Sequence, residues 1–98
     1  MSLGKLLRVE RSINIYKRTK SKYLGDSIQE INIDFISFEL LNKIIIANEE
    51  DPLLYDPYEL NVEQIEKLNT YLENKINPDF KTFEYFLECY GIYEKMEN

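Results

Sequence analysis

FKTFEYFLECY, Phe80 to Tyr90, decides what kind of domain this chain forms. Read with a period of two, Phe83, Tyr85, Leu87 and Cys89 face one way and Thr82, Glu84 and Glu88 the other, the pattern of a half-buried strand. Read with a helical period, Asn77 is a cap, Pro78 the first residue, and Phe80, Phe83, Leu87 and Tyr90 align. Aromatic and β-favouring residues dominate the segment, so we read it as a strand. That reading puts Phe86 on the polar face, which calls for cover on both sides.

A strand here needs partners. From Leu7 to Tyr16 the odd positions Leu7, Val9, Ile13 and Ile15 are apolar, while Arg8, Glu10, Ser12 and Asn14 are polar. This alternation predicts a second half-buried strand. Arg11 interrupts its apolar face, as an edge position or a snorkelling side chain does. The polar run Arg18–Lys22 reads as a hairpin loop, with Gly25-Asp26 as either a bulge or the true turn. The returning arm places Ile31, Ile33 and Phe35 inward and Glu30, Asn32 and Asp34 outward.

Two helices fit between these strands. Ser37 is a helix N-cap, with Ile36 and Leu41 at the positions of a hydrophobic staple. Leu40, Leu41, Ile44 and Ile45 form its stripe, ending near Ala47-Asn48. Asn61 with Gln64 makes a capping-box variant for the second helix. Its buried face is Val62, Ile65, Leu68, Leu72 and Ile76, and Asn77-Pro78 stops it, because a residue before proline avoids the α region. The expected fold is therefore an α+β domain. A mainly antiparallel sheet of three or four strands packs with two helices, in the order β-β-α-(β)-α-β, the bracketed strand being a short arm after Pro57.

Ninety-eight residues make one domain, 1–98, with residues 1–4 set aside as a tag remnant and 92–98 expected to fray. The chain is 44% hydrophobic and 31% charged, a globular composition. A single cysteine, Cys89, leaves no internal disulfide, and no run is long and apolar enough to span a bilayer. A cytoplasmic location without membrane attachment follows as the expectation. The net charge of -6 is unevenly spread. Residues 1–22 hold seven basic side chains and one acid; the remainder holds five basic and 17 acidic ones. Such a dipole bears on partners and association rates rather than on fold.

The acids concentrate in EEDPLLYDPYEL, Glu49 to Leu60, and the helix after it. Asp-Pro pairs initiate turns, since proline fixes its own φ and extends the residue before it. Leu53, Leu54 and Tyr55 are its anchors, so one reading is a structured loop with solvated carboxylates. The other is a contact surface. Glu49, Glu50, Asp51, Asp56, Glu59, Glu63 and Glu66 lie without an intervening base, and Tyr55 and Tyr58 lie among them. Tyrosine is enriched in protein interfaces, and an acidic field steers a basic partner quickly and in a salt-dependent way. Asp51, Asp56 and Glu59 are also hard oxygen donors, but their spacing does not match a calcium loop. No metal or cofactor is expected.

Other chemistry is thinly represented. The chain has no histidine, which removes the commonest general base and the Ser-His and Cys-His pairs. Gly4, Gly25 and Gly91 are too scattered for a phosphate-binding loop. Cys89 lies in an apolar segment and reads as a structural thiol. The expectation is a non-enzyme. A nucleic-acid binder would use Arg8, Arg11, Lys17, Arg18, Lys20 and Lys22 with Tyr16 and Tyr23. A solvated hairpin whose lysines protect a sheet edge is the favoured reading of that arm, and the acidic remainder would repel a polyanion. A homodimer pairing the basic hairpin of one copy with the acidic face of another is a further alternative.

Asp51, Pro52, Leu53, Tyr55 and Tyr58, as D-P-L-x-Y-x-x-Y, and the closing Y-F-L-E-C run Tyr85–Cys89 resemble a family of small uncharacterised bacterial domains. The likeness covers roughly residues 31–90 and leaves out the basic hairpin. Such domains look like immunity proteins, encoded beside secreted toxins that they bind and neutralise. The resemblance implies no catalytic residue. It implies a cognate toxin as partner; joined to the acidic field read above, the expectation is a basic toxin site occluded by Glu49, Glu50, Asp51, Tyr55, Asp56, Tyr58, Glu59, Glu63 and Glu66.

Overall fold

A computed structural model describes residues 4–19 and 25–94. Its elements run β1 (Leu6–Lys17), β2 (Gln29–Asn32), α1 (Phe38–Ile44), β3 (Tyr58–Glu59), α2 (Val62–Asn69) and β4 (Phe83–Tyr93). The four strands form one sheet in the order β2-β1-β4-β3, every neighbour antiparallel. This is the expected α+β order, and Phe83–Tyr93 is a strand.

Register explains how the alternating sequences meet. Ile13 stands opposite Ile31 on β2 and Leu87 on β4; Ile15 stands opposite Gln29 and Tyr85. Because side chains alternate across a pleated sheet, Ile13, Ile15, Tyr85 and Leu87 share one face. That face joins Ile33, Ile36, Leu41, Ile45, Leu54, Leu60, Ile65, Leu68, Leu72 and Ile76 in a single buried cluster. Leu7 is the exception among the alternating positions. The β1–β4 register shifts between Leu6 and Arg8, and Leu7 is left exposed.

Both helix starts follow their caps. Ser37 Oγ accepts the Leu40 N–H at 3.2 Å, and Ile36 and Leu41 are both buried. Asn61 and Gln64 exchange side chain-to-backbone bonds of 2.9 Å each way, a complete capping box. Both helix ends come earlier than the patterns predict. The first ends at Ile44, with Ile45 turned to extended backbone at φ -107° and ψ 125°. The second ends at Asn69. There the Asn69 side chain clamps Ile76, accepting its N–H at 2.7 Å and donating to its carbonyl at 2.8 Å. The Lys75 ammonium donates to the carbonyls of Asn69 and Leu72 at 2.6 Å each. Leu72 and Ile76 are buried as expected, but from a loop, and Val62 is exposed.

Phe35 is a correction too. It is 64% exposed, since β2 ends at Asn32 and the chain turns after Ile33. The hairpin tip, residues 20–24, lies outside the described residues. No described helix is long and apolar enough to cross a membrane.

The even face of the sheet carries Glu10, Ser12, Asn14 and Tyr16 from β1, Glu84, Phe86, Glu88 and Tyr90 from β4, Glu30 and Asn32 from β2, and Glu59 from β3. No described element contributes a second layer there. The cover that Phe86 calls for comes from its own face, where the Tyr16 ring meets it edge-on at 5.6 Å.

Candidate functional site

The loop from Glu49 to Leu60 is built around Asp51, which is only 7% exposed. Its N–H donates to Asn48 O, and its carbonyl accepts the Leu54 N–H. Its carboxylate accepts three bonds: Tyr55 N–H on Oδ1 at 2.9 Å, Asp56 N–H on Oδ2 at 2.9 Å and the Tyr58 hydroxyl on Oδ2 at 2.7 Å. Burial pushes its pKa up, but these bonds and the Arg11 charge more than offset that and hold it below the ordinary 3.8. Burial and the bond to Asp51 push the Tyr58 hydroxyl up in turn. The loop thus folds over its own carboxylate, as Asp side chains do in turns.

The tight turn forces Leu54 to φ 57°, in the left-handed region that leucine rarely occupies. Full burial of its side chain offsets that strain. Leu53 and Tyr55, expected as anchors beside it, are each 48% exposed.

Arg11 ties this loop to the sheet. Its guanidinium lies 5.4 Å from the Phe38 ring centre and 6.0 Å from that of Tyr55, and Nη2 donates to the Leu53 carbonyl at 2.6 Å. Its backbone N–H donates to Asp34 Oδ1 at 2.7 Å. The residue that interrupts the apolar face of β1 therefore fastens strand, helix and loop together. Cys89 is its cross-strand neighbour; the thiol is half-buried, and burial raises its pKa.

The sequence-predicted site residues fall into two groups. Asp51 and Tyr58 are spent on the turn. Glu49, Glu50, Tyr55, Asp56, Glu59, Glu63 and Glu66 are exposed. None of those six carboxylates forms an ion pair among the described residues; the ion pairs there are Arg8–Glu10 at 2.8 Å and Arg18–Glu84 at 2.9 Å. Among the described residues no three carboxylate or thiol groups cluster as a metal site.

Two features escaped the sequence reading. Ile46, 87% exposed, stands just before the acidic run, and Leu53 opens beside Tyr55. An early end of the first helix was the missing signal for Ile46. The basic arm is also less free than its composition implies. Arg8 and Arg18 pair with carboxylates, Arg18 also donates to Phe80 O, and Arg11 is turned inward.

An open-faced four-stranded sheet closed on one side by two helices and a self-braced loop defines the class of domain. The chain matches the model of a domain of unknown function (DUF7683) over residues 10–88, and it belongs to that family. The match runs from within β1 to within β4, so it takes in the basic hairpin that the resemblance left out. No curated protein and no solved structure matched the chain.

Proposed function

We propose that the chain is a non-catalytic protein-binding module: a bacterial, cytoplasmic immunity protein that neutralises a basic toxin by covering its active site. One observation carries this reading. Among the described residues six exposed carboxylates between Glu49 and Glu66 have no ion pair, and the exposed apolar side chains Ile46, Leu53 and Tyr55 lie in the same stretch of chain. Charged groups steer and orient a partner, while desolvated apolar and aromatic groups hold it. Asp51, Tyr58 and Arg11 keep the loop in shape before the partner arrives, which lowers the ordering cost of binding. The engagement of Arg8, Arg11 and Arg18 within the fold weighs against a nucleic-acid role for the basic arm.

The test is capture from a lysate of the source organism, with the tagged full chain as bait, at low and high salt. The expected result is one basic protein, retained at low salt and released at high salt. Recovery of the bait alone points to self-association, and recovery of bulk RNA points to the basic arm; either result overturns the reading.

A further inference from the structure

The open face of the sheet holds a second group of residues, apart from the acidic loop. Asn14 lies between Glu30 and Phe86 in one cross-strand row, and Ser12 lies between Asn32 and Glu88 in the next. Above them the Tyr16 hydroxyl donates to Glu88 Oε2, the Tyr90 hydroxyl donates to Glu88 Oε1 at 3.3 Å, and Asn14 Nδ2 donates to the Tyr90 oxygen at 2.7 Å. Tyr16 and Tyr90 both feel the charges of Glu30 and Glu88, and burial with that negative field raises both hydroxyl pKa values. Among the described residues neither carboxylate has a cationic partner.

Beneath this group two acceptors stand unpaired among the described residues: the Oδ1 of Asn14, 1% exposed, and the Oγ of Ser12, 2% exposed. Buried polar atoms are nearly always paired, so each exception calls for an explanation, a bound group being one. The Nδ2 end of the Asn14 amide reaches into the cluster, where it bonds the Tyr90 oxygen. A face with two uncompensated carboxylates, buried acceptors and three aromatic rings suits one chemical group above others. A guanidinium is planar, permanently charged, rich in N–H donors, and stacks on aromatic rings. An ammonium lacks the planar fork and the stacking.

We infer that the open sheet face is a docking site for an arginine-bearing segment of a basic protein, with a guanidinium seated between Glu30 and Glu88 against Tyr16, Phe86 and Tyr90. The site takes the same kind of partner as the acidic loop but stands on separate residues.

The experiment is titration of the ¹⁵N-labelled full chain with octa-arginine and, separately, octa-lysine, followed by amide shifts. Octa-arginine is expected to shift the amides of Ser12, Asn14, Tyr16, Glu30 and Phe86–Tyr90, and to bind that face about threefold or more tighter than octa-lysine. Glu30→Gln with Glu88→Gln should weaken this binding about tenfold. Should the double variant fail to fold, Glu30→Gln alone, at an exposed position, supplies the comparison. Shifts confined to residues 49–66 overturn this site and leave the loop reading standing. Equal response to both peptides overturns it as diffuse attraction. Shifts on neither surface overturn this site, while the loop reading keeps its own test by capture.

Discussion

At the inner turn of the 49–60 loop, the Asp51 carboxylate accepts three hydrogen bonds and lies in the field of the Arg11 guanidinium. At the outer rim Asp56 and Glu59, five and eight residues on, are exposed and have no ion pair among the described residues. Both sit beside a proline or a tyrosine, and composition does not separate them. What separates them is which backbone N–H groups converge on the side chain. A carboxylate at the centre of a turn serves the fold; one at its rim is free to serve a partner. Substitutions at the two places should therefore have different consequences.

The largest effect is expected beneath the turn. Leu54→Ala should cost about 3 kcal/mol of unfolding free energy by denaturant titration, in the range for a fully buried leucine. Leu54→Gly sharpens the point. Glycine in an ordinary position costs about 0.5–1 kcal/mol more than alanine, but glycine adopts the φ of 57° freely, so here the two variants should be equally stable.

Asp51→Asn should come next. Its depressed pKa means that its contribution is present above the unfolded value of 3.8 and is lost as pH falls through the lower folded value. The variant should have a lower thermal midpoint at neutral pH, and a flatter loss of stability on going below about pH 4 than the parent chain. A parallel acid limb in both proteins would remove Asp51 from its role at the turn.

Asn61→Ala should cost about 1 kcal/mol, the usual loss for an N-cap, because it breaks the capping box of α2 without touching the rim carboxylates. Partner binding should fall only in proportion to the fraying of Glu63 and Glu66. The smallest effect on stability is expected at the rim: Asp56→Lys with Glu59→Lys should leave the thermal midpoint unchanged, since both side chains are exposed and have no ion pair among the described residues.

Much of the architecture was legible in the sequence. The period-two runs in β1 and β4 and the caps at Ser37 and Asn61 act locally, and they appear where the residues place them. The helix ends were not legible, because Asn69 stops α2 through a clamp on Ile76, seven residues away, and hydrophobic periodicity continues past it to Leu72 and Ile76. The acidic stretch was legible as composition, but the division between Asp51 and Asp56 depends on turn geometry. Arg11 was visible as a break in the pattern; its partners Phe38, Leu53 and Tyr55 come from distant parts of the chain. The open face was readable as polar alternation, while its cross-strand rows depend on register, which residue types alone do not set.

The rim carboxylates are proposed to hold a basic partner. The most direct measurement is a matched capture: the parent chain and the Asp56→Lys, Glu59→Lys variant as parallel baits in one lysate at low salt, each first shown to unfold at the same temperature. One basic protein should be recovered with the parent and lost with the variant. Recovery of the same protein in equal amount on both baits would contradict a contact through the rim.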